Sequence, residues 1–194
     1  MAPCWGVSVA PRLSVSIVNM RLALVLSALY TCHCAARPLS AIVVGGSSGM
    51  GKAAAVAVAS RGGRVLIASR SQDKLDSSAE EIRLAVPTVQ LTARVLDASD
   101  EMAVQAFAEG LDAHCWDALI CTAAGKAPHG PIGELPSSDT AGLFASKFWT
   151  AHNACKHIAP RLTDGGAVAL TAGVLNRRPG LNCSPLAAVN GALS

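Results

Sequence analysis

From residue 41 onward, short runs of aliphatic and β-branched residues alternate with longer stretches whose apolar positions recur every three or four residues. Ala41 to Val44 leads through a glycine-rich turn into Lys52 to Arg61, which is alanine-rich and closed by Gly62-Gly63: strand, turn, helix. Arg64 to Ala68 reads as a second buried strand. Ser71 to Val86 sets Leu75, Ala79, Ile82 and Val86 at helical spacing and stops before Pro87. Thr88 to Leu96 is a third strand, and Glu101 to Ala113 a helix with Met102, Ala106 and Leu111 turned inward. Asp117 to Cys121 is a fourth strand. Lys126 to Pro136 is loop by its prolines and glycines. Ser137 to Leu162 then reads as a long helix that directs Leu143, Phe144, Phe148, Ala151 and Cys155 to the core. Asp164-Gly165-Gly166 turns the chain into a fifth strand, Ala167 to Thr171. Strand and helix alternate throughout, which predicts an α/β fold with a doubly wound parallel sheet of about five strands and right-handed crossovers.

Composition narrows the function classes. The 194 residues, 51% hydrophobic and 15% charged, hold one domain plus an extension. A net charge of +3 with only 4% aromatics and no basic stripe argues against nucleic acid as a partner. Seven irregularly spaced cysteines suggest mostly reduced, buried thiols rather than a disulfide framework. No metal site is expected: Cys32-His33-Cys34 is too tight for a tetrahedral set, and His152 and His157 lack a metal-binding helical spacing. Residues 1–38 differ from the rest, with Arg12, Arg21 and Arg37, no acid, and an apolar run from Leu22 to Tyr30. From Met20 the segment resembles a secretory signal, with an organelle presequence or residues ahead of a later true start as alternatives. The compartment follows from that choice and is otherwise cytoplasmic. The run is too short to span a bilayer comfortably, so no stable membrane span is expected.

The candidate chemistry centres on AIVVGGSSGMGKAA, residues 41 to 54. Gly45 lets the chain turn off the strand, Gly49 lets backbone approach a pyrophosphate, and Gly51 lets the helix pack on the sheet. Free N–H groups around Ser47, Ser48, Met50 and the helix start then face the phosphates. Turn geometry alone is the plain alternative. GSSGMGKA also approaches the P-loop pattern, with Lys52 toward phosphates, but Ala53 lacks the Mg²⁺-ligating hydroxyl. After the second strand, Ser69-Arg70-Ser71 offers a guanidinium and hydroxyls where an NAD site wants a carboxylate, which fits a 2′-phosphate and favours NADP over NAD. Asp97 stands at a strand end where a carboxylate meets an adenine amine, while Ser99 or Asp100 caps the next helix. His129 lies in the loop as a candidate acid or an exposed bystander. Arg177-Arg178 attracts an acidic substrate or is simply solvated.

VGGSSGMG, ASR, LDASD and TAAG, in that order and spacing, resemble the short-chain dehydrogenase/reductase family from about Leu39 to the C-terminus. The resemblance implies a Rossmann-like fold over residues 39–194, a small-molecule carbonyl or alcohol substrate, and NADP held at Gly45, Ser47, Ser48, Gly49, Met50, Gly51, Ser69, Arg70, Asp97, Ala123, Ala124 and Gly125. Val44 replaces the hydroxyl opening the family's glycine motif, and Thr122 and Ala123 replace its two asparagines. LAAVNGAL resembles the helix carrying the family's Y-x-x-x-K, with Leu186 at the tyrosine and Asn190 at the lysine. Tyr30 is the one tyrosine. Lys147 matches a helix position where the family usually has asparagine. The expectation for catalysis is an ammonium from Lys147 with Thr171 orienting a substrate oxygen, the alternative being a catalytically silent NADP-binding or regulatory protein. The chain stops inside what the family has as its sixth helix. The resemblance therefore implies missing C-terminal strands, an open edge at the fifth strand and an incomplete homo-oligomer interface.

Overall fold

The computed structural model describes residues 15–17 and 38–194. The expectations for the leader, with Arg12, Arg21, Tyr30, Arg37 and Cys32-His33-Cys34, therefore lie outside the described residues, apart from one short strand.

Six parallel strands form one sheet in the order β1-β6-β5-β2-β3-β4. They are β1 (Val15–Ile17), β2 (Ala41–Val44), β3 (Val65–Ser69), β4 (Leu91–Val95), β5 (Trp116–Cys121) and β6 (Leu162–Leu170). The helices are α1 (Gly49–Ala59), α2 (Gln72–Ala85), α3 (Glu101–Glu109), α4 starting as Ser137–Phe144, and α5 (Ser184–Ala192). The α4 helix runs on to Ile158 through two stretches of wider, π-type turns, Ala145–Trp149 and Ala154–Ile158. The central strands are continuous apolar runs because both faces are covered. On one face Ala41, Val43, Val65 and Ile67 pack under Ala55 and Val58 of α1 and Leu75 and Ile82 of α2. On the other, Ile42, Val44, Leu66 and Leu119 meet Val104 and Phe107 of α3 and Ala151, Ala154 and Ile158 of α4. The chain leaves β2 toward β3 on one side and returns through β5 on the other. That reversal opens a crevice at the carboxyl ends of these strands.

Several local expectations are corrected. The inner face of α3 is Val104, Phe107, Ala108 and the following Leu111, a complete i, i+3, i+4, i+7 stripe, while Met102 is 70% exposed and Ala106 also faces solvent. Asp164-Gly165-Gly166 is not a turn before the last strand. It is a bulge inside β6, with Gly165 at φ +78° and the register shifted between Trp116↔Leu162 and Ala118↔Ala167. The outer side of β6 is not open over Val168 to Leu170, because β1 pairs with it there. The sequence signal for β1 is the strict alternation Leu13-Ser14-Val15-Ser16-Ile17, inside the segment whose composition suggests a leader. Of the four described cysteines only Cys121 is buried, its thiol pushed up to about 12 by desolvation; Cys155 and Cys183 are half-buried and Cys115 is exposed. No described helix is long and apolar enough to cross a membrane.

Candidate functional site

A cavity of about 320 Å³ lies at the carboxyl ends of the strands, lined by Val44 from β2, Ser69 from β3 and the residues that follow β4 and β5. Its floor is the glycine turn, where three glycines do three different things. Gly45 sits at φ +90°, and a Cβ there would lie 2.7 Å from the Ala123 nitrogen. Gly51 lies so close under the turn that a Cβ would meet the Gly45 carbonyl oxygen at 2.2 Å. Gly49, at φ +52°, has nothing within 4 Å of its Cβ direction. The first two glycines close the structure; the third leaves backbone bare toward the cavity. Helix α1 begins at Gly49 itself, three residues earlier than the alanine content suggests, so its first N–H groups open on this bare patch.

Hydroxyls hold the turn in place. The Ser47 hydroxyl bonds that of Ser69 at 2.8 Å, joining the turn to the end of β3. Buried Ser78 of α2 donates to the Gly46 carbonyl at 3.0 Å. Ser71 caps α2 by accepting from the Lys74 amide at 3.4 Å. Arg70 and Lys74 both line the cavity, and no hydrogen bond or ion pair among the described residues ties down the Arg70 guanidinium. Across from it, Asp97 accepts from the Ser99 hydroxyl at 2.6 Å and its amide at 3.0 Å. The Ser99 hydroxyl bond holds the Asp97 carboxyl below the usual range against the opposing effect of burial, with lesser help from the Ser99 amide and the nearby Arg70 charge. Helix capping falls to Asp100, which accepts from the Met102 and Ala103 amides at 2.9 and 3.3 Å. Asp97 is thus free to face the cavity.

At the end of β5, Thr122, Ala123 and Ala124 line the cavity. Gly125 stands just behind, its amide donating to the Ser146 hydroxyl at 3.0 Å; a Cβ on Gly125 would collide with that hydroxyl at 2.5 Å. Of the twelve residues that the resemblance assigns to cofactor binding, the cavity gathers Gly45, Ser47, Ser48, Gly49, Met50, Ser69, Arg70, Asp97, Ala123 and Ala124. Gly51 and Gly125 support it from behind. Lys74, Thr122, Ser146 and Thr150 also line it and were not expected. Thr122 simply follows β5, whereas no apolar period marks Lys74, Ser146 and Thr150, since their place depends on how α2 and α4 dock. Asn153 was missed for the same reason. It is buried on α4 and donates to the carbonyls of Ala98 and Ser99 at 3.2 and 3.3 Å, steadying the loop that carries Asp97.

The other candidates lie elsewhere. Lys52 forms an ion pair with Glu81 on α2 and does not line the cavity, so the lysine on which a P-loop reading leans is engaged away from it. His129 makes a contact of 3.4 Å with the Cys183 thiol between two loops, and His157 meets Glu101 at 3.2 Å. His152 stacks on Phe148. Among the described residues no three His, Cys, Asp or Glu side chains converge. Arg177 and Arg178 are exposed.

Lys147 and Thr171, the two residues expected to act in catalysis, are both outside the cavity lining. Thr171 is half-buried, its amide donating to the Cys121 carbonyl at 3.1 Å. Lys147 is not an ordinary helix lysine: it is 9% exposed on the inner stripe of α4, between Leu143 and Thr150. Its ammonium donates to the Asn190 carboxamide oxygen at 2.5 Å, and burial holds it below the usual lysine range. Leu186, one turn earlier on α5, is half-buried and brings no hydroxyl.

A family model described as short chain dehydrogenase matches residues 40–192. Among curated relatives, 1-deoxy-11-beta-hydroxypentalenate dehydrogenase of Streptomyces avermitilis is 31% identical over 135 residues, covering 67% of this chain and 48% of its own. Human retinol dehydrogenase 12 is 45% identical over 69 residues, covering 36% of this chain and 22% of its own. The chain spans half or less of the length of these relatives. Among solved structures, an NADPH-bound short chain oxidoreductase from Pseudomonas aeruginosa PAO1, described as containing an atypical catalytic center, superposes with a TM-score of 0.74 at 24% identity. That match covers 80% of this chain and 62% of the other, and it bears on the fold alone.

Proposed function

The chain belongs to the short-chain dehydrogenase family, and on that premise we propose that it binds NADP(H) over the glycine turn and interconverts a carbonyl and an alcohol on a small molecule. The observation that carries this reading is the pairing of a bare, left-handed Gly49 at the start of α1 with an untethered Arg70 on the same cavity. A dinucleotide diphosphate needs close backbone N–H donors, and Gly49 is the one glycine of the turn whose missing side chain opens onto empty space. A 2′-phosphate needs a guanidinium free to form two parallel bonds. Arg70 has that freedom, with Lys74 as a second cation and the Ser47–Ser69 hydroxyl pair beside it. Asp97, kept ionised, accepts an adenine amine. Bound there, the nicotinamide cofactor would supply or accept the hydride.

A second reading, a silent NADP-binding protein, is favoured by one observation: α5 presents Leu186 and Asn190 where the resemblance puts tyrosine and lysine. Titrating the purified chain with NADPH, NADH and Mg-ATP separates the readings. NADPH binding at least tenfold tighter than NADH, with carbonyl reduction, supports the enzyme; the same binding without turnover supports the silent protein. Preference for Mg-ATP contradicts both. Arg70→Ala should bring the two nicotinamide cofactors to equal affinity, and an unchanged preference removes Arg70 from the 2′-phosphate.

A further inference from the structure

The contact between α4 and α5 holds a cluster of donors with too few acceptors. Lys147 and Asn190 are both buried, and the ammonium spends one of its three hydrogens on the Asn190 oxygen. Because an ammonium can only donate, this bond fixes which way the carboxamide faces: Oδ1 toward Lys147, Nδ2 away. That leaves Asn190 Nδ2 buried with no hydrogen-bond partner, one of two such side-chain atoms among the described residues. A buried donor without an acceptor costs about 1–3 kcal/mol, so a native chain that keeps one invites the question of what acceptor completes it. Gly173, two residues after Thr171, lies directly against Nδ2, and a Cβ there would sit 2.7 Å from it. The end of β6 therefore leaves room beside the amide that any other residue would fill. The ammonium belongs to the first wide-turned stretch of α4, which also brings Ser146 to the dinucleotide cavity. Wide turns of this kind shift a helix face by part of a turn and recur at functional sites.

Resting on the oxidoreductase reading above, we propose that Lys147 is the proton donor to the substrate carbonyl oxygen and that Asn190 positions it, with Asn190 Nδ2 as a second donor to the same oxygen. In the reduction, the carbonyl carbon takes a hydride from the reduced nicotinamide and the π-electron pair moves onto oxygen. One N–H bond of Lys147 breaks as the O–H bond forms, leaving an alcohol and a neutral amine that is reprotonated from water. Desolvation of the ammonium favours that transfer, since a lysine held below its ordinary range gives up its proton more readily. The ammonium and the carboxamide thus stand across the helix pair from where the resemblance puts them, the ammonium on α4 and the carboxamide on α5.

The exchange can be tested by undoing it. With the activated ketone isatin as probe and the full chain throughout, Lys147→Asn should keep NADPH affinity within about threefold and lower reduction at least a hundredfold, in the range of a lost general acid. Adding Asn190→Lys to that variant returns one ammonium and one carboxamide to the same place, and should recover at least a tenth of the lost rate. Absence of that recovery overturns the proposal. A second readout needs no turnover: in side-chain-labelled lysine NMR, assigned with Lys147→Met, the Lys147 signal should move when isatin is added to the NADPH-loaded protein. If NADPH binds and that signal stays still, the proposal falls alone. If NADPH fails to bind, the oxidoreductase reading falls with it.

Discussion

The two ends of the crevice are built differently. At the glycine turn, shape comes from backbone and its polar side chains find partners: Gly51 closes on the Gly45 carbonyl, Ser78 bonds Gly46, and Ser47 bonds Ser69. At the α4–α5 contact, shape comes from side chains, and the set is unfinished, with a buried ammonium and an orphaned amide nitrogen. A backbone cradle leaves its mark in glycine spacing. A side-chain pair formed between helices forty-three residues apart leaves almost none.

The sharpest way to break the contrast is inside the turn. Gly51→Val should destabilise the chain by about 3 kcal/mol or more, because its Cβ is driven into backbone that cannot move aside; chemical denaturation reads this. Gly49→Ala should lose only about 1 kcal/mol, from the left-handed backbone, yet weaken NADPH at least tenfold, since the open space is the ligand's. Equal stability losses for the two would mean that the turn has no open side. Asp100→Ala, which removes the cap of α3, should lower stability by about 1 kcal/mol and leave NADPH affinity unchanged in the same titration.

The smallest effect comes from the other end. Below its lowered folded-state value Lys147 is a charge held in a desolvated place, and the unfolded chain binds that proton more readily. Stability from this group therefore rises with pH from the folded value toward the ordinary 10.5. Denaturation of wild type and Lys147→Met across that window should show the difference between them moving in favour of wild type as pH rises. A constant difference would mean that the ammonium is solvated in the folded chain.

These contrasts also explain what was legible in the sequence. The strands, the glycine turn, Arg70 and Asp97 were readable because each follows from local spacing: an apolar run, a breaker, the residue just after a strand. The failures required tertiary information. Met102 was assigned to the inner face of α3 although Val104, Phe107, Ala108 and Leu111 make the fuller stripe, and it was the docking on β2 and β5 that chose between the phases. Asp164-Gly165-Gly166 has the composition of a turn, yet β5 pairs with the residues on both sides and makes it a bulge. Lys147 was legible only through the resemblance, as a candidate ammonium; its burial against α5 and its bond to Asn190 needed the fold. Ser146, Thr150 and Asn153 sit on the same helix and were as invisible. β1 pairs with a strand far along the chain, and its five-residue alternation sits within an acid-free segment whose composition suggests a leader.

The central claim is that main-chain N–H groups around Gly49 grip a diphosphate while Arg70 takes the additional phosphate. Amide-resolved NMR during an NADPH titration tests it most directly. The account predicts that the largest shifts fall on Gly49, Met50 and Gly51, with Arg70 and Lys74 moving for NADPH and not for NADH. Saturable NADPH binding that leaves those five amides where they were would contradict it.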